Sequence, residues 1–243
     1  MPLNATIHTA ANVDLEEASR SLQEKGYAAL NLLSQFRRPK ELYRFQKSWD
    51  DLVQDPYLPQ RFGVRFRRHG RFLYDRDKSD SFILLPSAPY FQSKDVNPVA
   101  GGMKREFAPL QENVLSSSIL HDCLRCSAEV FPVRECARWI INVHCIRIPC
   151  SGSMMGYPCP EGIHNDGFEY ISIHVVQRRN IVGGVTFLYD NAQTLLTEEE
   201  LDKPFDSVFA SDTKILHYTD SFAVLSGDRG YRDTLLVSYE RQL

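Results

Sequence analysis

The chain has 243 residues, is 43% hydrophobic and 24% charged, and carries a formal net charge of −3 with a sequence pI near 6.2. That length supports a sizeable core without disulfides, and the slightly acidic balance argues against a general nucleic-acid binder. No apolar run approaches the roughly 20 residues of a membrane-spanning helix, and the N-terminus lacks a basic segment followed by an apolar one, so a cytoplasmic protein with six reduced cysteines is expected.

Taken in chain order, "DLEEASRSLQEKG" (14–26) reads as a helix with acids at its start and Gly26 as its stop. "YAALNLL" follows as a strand. "PKELYRFQKSWDDLVQD" (39–55) opens on Pro39 and spaces Leu42, Phe45, Trp49 and Leu52 along one helix face. "GVRFRRHGRFLYD" (63–75) reads as two short strands around a His69-Gly70 turn. Residues 110–131 look helical and contain Cys123 and Cys126. With no second C-x-x-C to complete a zinc site, these are expected to be buried thiols.

From about residue 138 the character turns to β. "RWIINVHCIRI" (138–148), "EYISIHVVQ" (169–177), "GGVTFLYD" (183–190), "TKILHYT" (213–219), "SFAVLSG" (221–227) and "DTLLVSYE" (233–240) are short, β-branched and separated by turn residues. Serial strands of this kind suggest a sandwich or barrel. The acidic "LLTEEELDKP" (195–204) reads as a surface insertion, at most one helical turn. The whole is read as one domain, 1–243, with 1–130 a mixed helical and strand support for a core over 131–243. The helices are expected on one sheet, covering it.

The stretch "GIHNDGFEY" (162–170) carries the chemistry. His164 and Asp166 converge if the backbone turns between them, and Asn165 and Gly167 favour that turn. Imidazole and carboxylate suit divalent iron, for which two histidines and one carboxylate leave three positions open. H-x-D alone is a weak signal. His217, 51 residues after Asp166, ends a β run and could return to the same barrel mouth. His174 is expected to be a hydrogen-bonded core histidine, and His8, His69 and His121 solvated or structural. Arg232 follows His217 by 15 residues. It shares a strand face with Thr234, where fork and hydroxyl could hold a carboxylate. By itself this arginine would read as a surface ion pair.

H-x-D, then His, then Arg at this spacing resembles the iron(II)/2-oxoglutarate dioxygenases, an α+β class built on a double-stranded β-helix (jelly roll, cupin-like). "YFQSKDVNPVAGGMKREF" (90–107), "VHCIRI", "HNDGFEYISIHVV", "IVGGVTFLYDN" and "HYTDSF…YRDTLLVSYE" resemble landmarks of the branch that hydroxylates free L-amino acids, the L-isoleucine 4-hydroxylase type. This likeness spans about residues 90–240 and leaves the first 60 uncovered. It implies Fe(II) and 2-oxoglutarate as cofactor and co-substrate. His164, Asp166 and His217 would bind iron, and Arg232 with Thr234 the distal carboxylate of 2-oxoglutarate. Retention of Asp166 implies hydroxylation, because related halogenases give up this carboxylate. Arg147, Gln92 and Arg105 are the candidate substrate contacts, each equally able to serve as a supporting hydrogen-bonding residue. Cys145 and Ile148 stand where the family often carries Gln and Tyr, which bears on the substrate accepted.

The expected substrate is a free amino acid with an aliphatic or cyclic side chain, oxidised with dioxygen; a homodimer is possible. Three other readings stay open. One is an oxygenase of the same fold acting on a secondary metabolite by hydroxylation, desaturation or cyclisation. Another is a non-catalytic jelly-roll binding protein. The third is a metal-dependent cupin hydrolase or isomerase, which would use more histidines and need no distal arginine.

Overall fold

The computed structural model describes residues 10–78 and 81–242. His8 lies outside them. The elements in order are α1 (Ala10–Lys25), β1 (Tyr27–Asn31), α2 (Leu42–Lys47), β2 (Val53–Gln54), β3 (Phe66–Asp75), β4 (Ser81–Leu84), α3 (Glu112–Leu115), α4 (Ser118–Val130), β5 (Arg138–Ser151), β6 (Tyr170–Arg179), β7 (Ile181–Gly183), β8 (Thr186–Asp190), β9 (Leu195–Glu199), β10 (Asp206–Ser211), β11 (Ile215–Thr219), β12 (Phe222–Val224) and β13 (Arg229–Arg241). Short 3-10 turns join several of them.

An eight-stranded sheet runs β1-β10-β6-β13-β5-β3-β2, with β4 also on β3. Smaller sheets, β11-β8-β9 and β12-β7, form a second layer. All these ladders are antiparallel. Alternation decides which side chains meet which layer. One face of the large sheet presents Trp139, Ile141, Val143, Cys145, Leu235, Val237 and Tyr239. These pack against Leu15, Ala18 and Leu22 of α1, Phe45 of α2, and Ile119, Leu120 and Leu124 of α4. The helices therefore cover one sheet face, as expected. The opposite face meets the second layer: Phe222 packs on Ile146, Ile148 and Cys150, and Leu188 on Ile171, Val175 and Val208.

Cys123 and Cys126 sit inside α4, unpaired and fully buried, and burial pushes the Cys126 thiol up to about 12. They are inert core thiols. No helix among the described residues is long and apolar enough to cross a membrane.

Four segments differ from the sequence reading. Residues 63–75 do not turn at His69-Gly70; β3 runs through both. Gly70 answers a packing demand, because a Cβ there would lie 2.6 Å from the Leu110 side chain. His69 is accordingly buried, with Nε2 3.1 Å from the Asn142 amide oxygen. The expected 39–55 helix breaks into a 3-10 turn, α2, a second 3-10 turn and β2. The 110–131 helix divides at Ser117, whose hydroxyl caps α4 by accepting from the Ile119 amide. Finally, the acidic insertion is strand β9, paired at the sheet edge with β8.

His174 is the core histidine expected, bonded through Nε2 to the Ser172 hydroxyl at 3.0 Å and through Nδ1 to Ser207 at 2.8 Å. Burial holds its pKa down at about 3, and that of His69 at about 4. The unfolded chain takes up these protons near pH 6.5 while the folded chain does not, so stability falls as pH drops below about 6.5. Between pH 7.5 and 5.5 each such histidine costs about 1.4 kcal/mol. The loss of unfolding free energy over that interval, measured by urea titration, should shrink by about that amount in His174→Gln; an unaltered loss would contradict it.

Candidate functional site

The loop before β6 and the middle of β11 are tied together by backbone. His164 and His217 form an isolated antiparallel bridge, with N–H to carbonyl distances of 3.1 and 2.8 Å in the two directions. This rung sets the two imidazoles side by side, their centroids 4.3 Å apart. The chain then reverses at Gly167, whose φ of +84° favours glycine and where a Cβ would press on Val96 at 3.1 Å. That reversal turns Asp166 back toward the histidines.

Two residues fix the turn from outside. The Asp212 carboxylate accepts from the Asp166 amide at 3.0 Å and the Phe168 amide at 2.8 Å. From the other side, the Gln92 amide donates to the Asp166 carbonyl at 2.9 Å, and Gln92 Oε1 accepts from Arg105 Nη2 at 2.6 Å.

One ligand atom from each of His164, Asp166 and His217 lies within 4.8 Å of the others. Asp166 and His217 are 8% and 4% exposed, yet Asp166 Oδ2 and His217 Nδ1 have no hydrogen-bond partner. Buried polar atoms left unpaired at the centre of a nitrogen and carboxylate cluster fit a divalent cation. His164 Nδ1 donates to the Gly162 carbonyl at 2.9 Å, which leaves the Nε2 lone pair for the cluster. Burial keeps His217 neutral, its pKa pulled down to about 3. Burial would raise that of Asp166, but the His164 ring beside it, its Nε2 3.7 Å from Oδ1, holds it below the usual carboxylate range.

The same pocket is lined by Arg232 and Thr234 from β13, by Gln92 and Arg105, and by Ile148 from β5. Arg232 is 3% exposed, and its Nε and Nη2 have no partner. It is a buried guanidinium awaiting an anion rather than a surface ion pair. Burial, then the neighbouring Arg178, lowers its pKa to about 10, so it stays charged.

Arg147 corrects the sequence reading. It lies on the opposite sheet face from Ile146 and Ile148, where Asp233 takes its Nε and Nη2 at 2.7 Å each and Asp50 its Nη1 at 2.8 Å. With its fork fully engaged there, it contacts no pocket ligand. Cys145 shares that covered face, so of the two departures from the family pattern only Ile148 lines the pocket. Sequence reasoning missed Asp212, Arg65, Arg67 and His144. The alternation of Arg65, Arg67 and His69 was a legible signal for one strand face; Asp212 had no local signal.

A family model described as 2OG-Fe dioxygenase matches residues 46–238. The chain belongs to that family. This dioxygenase is 23% identical over 206 residues to 3(1)-hydroxy-L-isoleucine 4-dioxygenase of Pantoea ananatis, covering 83% of this chain and 81% of the relative. It is 22% identical over 233 residues to L-isoleucine-4-hydroxylase of Bacillus thuringiensis, covering 93% and 95%. Among solved structures, a bsmA homolog from Methylobium petroleophilum PM1 superposes with a TM-score of 0.83 at 25% identity, over 93% of both chains. IDO from Bacillus thuringiensis superposes with 0.77 at 18% identity, over 94% and 96%. The antiparallel layers are thus the double-stranded β-helix core of the 2OG-Fe oxygenases, and the family implies Fe(II), 2-oxoglutarate, dioxygen and a small-molecule substrate.

Proposed function

We propose that this dioxygenase hydroxylates an unactivated C–H bond of a free L-amino acid, with His164, Asp166 and His217 as the iron ligands. Iron(II) with 2-oxoglutarate supplies the oxidising power, placing one oxygen atom of dioxygen on the substrate and the other in succinate as carbon dioxide leaves. The observation that carries the assignment is the unpartnered Arg232 guanidinium in the pocket that also holds the His-Asp-His cluster. Arg232 binds the distal carboxylate of 2-oxoglutarate through its free Nε and Nη2 edge, and Thr234 adds a hydroxyl on the same strand face.

The protein's part is placement. Asp212 and Gln92 hold the Asp166 loop, Gly162 sets the His164 ring, and Ile146 and Ile148, paired with Thr234 and Arg232 on the neighbouring strand, add apolar lining. The amino-acid assignment draws on the two relatives named for isoleucine oxidation. Incubation with iron(II), 2-oxoglutarate and the common amino acids plus pipecolate, followed by mass spectrometry, should reveal a gain of one oxygen atom in one of them. Succinate formation with no oxygenated amino acid would reject that substrate class.

Asp212→Ala tests the loop clamp. It removes the acceptor of two buried amides, and iron(II) affinity should fall about 10- to 100-fold while the chain stays folded. An unchanged affinity in a calorimetric titration would show that the loop holds its shape without Asp212.

A further inference from the structure

The far wall of the pocket carries cations that neither the metal cluster nor Arg232 accounts for. Ile146 on β5 is paired with Thr234 of β13 on one side and with Arg67 of β3 on the other. Two strand spacings, about 10 Å, therefore separate the Arg232 column from the Arg67 column on one sheet face. Arg65 lies two residues before Arg67 on that face, and Arg105 reaches the same wall from the segment that bridges to Tyr90.

All three are buried, Arg65 and Arg67 at 8% exposed and Arg105 at 3%. The Nε atoms of Arg65 and Arg105 have no partner; that of Arg67 has Asp55 at 3.5 Å, beyond a good hydrogen bond. Their other surfaces are fixed. Arg65 Nη2 donates to the carbonyls of Tyr157 and Pro158 at 3.1 and 2.8 Å. Arg67 lies over the Phe107 ring at 4.8 Å, and Arg105 over Tyr90 at 5.0 Å. The guanidinium groups are held in place within the pocket lining, an arrangement that lowers the ordering cost of binding an anion.

Charge then discriminates between ligands. Asp55 and Glu161 are the carboxylates available to this wall, and Glu161 also lies 3.4 Å from His164 Nε2, so three guanidinium groups leave at least one positive charge unmatched. A buried unmatched charge is costly, and a zwitterion of zero net charge does not relieve it. We propose that this wall recognises the primary substrate, and that the substrate is an α-amino acid with a second carboxylate, of net charge −1. Its acidic groups meet Arg65, Arg67 and Arg105, and its ammonium group faces Asp55. The inference rests on the free-amino-acid reading above, and it departs from the uncharged aliphatic side chain of isoleucine.

The test uses the whole chain loaded anaerobically with iron(II) and saturating 2-oxoglutarate, so that Arg232 is occupied. L-aspartate, L-glutamate and L-2-aminoadipate are titrated against L-isoleucine and L-norleucine, read by the shift of the iron–co-substrate absorption band and by calorimetry. At least one acidic amino acid should bind at least about tenfold more tightly than L-isoleucine. Arg65→Gln and Arg105→Gln should each weaken it about 10- to 100-fold, with 2-oxoglutarate affinity changed less than about threefold, and Arg105→Lys should restore part of the loss. Thermal midpoints check folding, and Arg65→Gln decides alone if Arg105→Gln does not fold. Isoleucine binding as tightly as every acidic amino acid, no binding by any of the five, or variants that keep full affinity for the acidic ligand would overturn the proposal. Failure of the absorption band to form would instead remove the iron and 2-oxoglutarate assignment. Calorimetry on the metal-free chain with the same ligands would then still decide the charge preference.

Discussion

Asp166→Ala, His164→Ala and His217→Ala each lower iron-dependent succinate formation by at least about a thousandfold, because the three donors act as one unit. Asp166 is the one carboxylate of the set and the group that would offset a cation's charge in a buried site. Its loss leaves two neutral imidazoles, a poor match for a hard divalent ion. Either histidine change breaks the ring pair that the 164–217 backbone bridge holds at 4.3 Å. Stability should not explain the loss. Without metal, Asp166 Oδ2 and His217 Nδ1 are unsatisfied buried atoms, so their removal relieves a desolvation cost. Iron(II) stoichiometry, succinate release and the thermal midpoint, measured on each variant, separate these effects. Full turnover by any one variant would take that residue out of the ligand set.

Arg232→Ala should raise the 2-oxoglutarate requirement about 30- to 100-fold and leave iron(II) affinity within about threefold. Two charge-assisted hydrogen bonds to the distal carboxylate are lost, at about 1.5–3 kcal/mol each before relaxation and water entry recover part. Maximal turnover should fall much less, since the end of the co-substrate that Arg232 would bind is remote from the reacting atoms. Arg232→Lys should recover only part of the affinity, as an ammonium cannot present the paired edge. An apparent KM for 2-oxoglutarate equal to that of the unaltered chain would end the assigned role.

The convergence of His164, Asp166 and His217, with Arg232 in the same pocket, was legible because a sparse motif ties them to fixed strand positions. His164 and Asp166 flank a turn whose residues, Asn165 and Gly167, announce it, and His217 and Arg232 lie on the β runs that return to that turn. Arg147 was misplaced by one step of the pleat. Its neighbours Ile146 and Ile148 face the cavity, and a strand buried on both faces gives no alternation to reveal which parity does so. His69-Gly70 imitated a hairpin, though the glycine is required by Leu110 lying above it. In β9 the charges of "TEE" read as a surface insertion, but an edge strand tolerates and benefits from such charge. Asp212 could not be inferred at all, since its partners are 46 and 44 residues away and only the folded chain brings them together.

Anaerobic titration of iron(II) into the metal-free chain, with 2-oxoglutarate present, tests the central claim most directly. The account predicts one iron per chain, a visible charge-transfer band that saturates at that ratio, and loss of the band in Asp166→Ala and His217→Ala. Absence of stoichiometric iron binding, or a band that survives both substitutions, would contradict it.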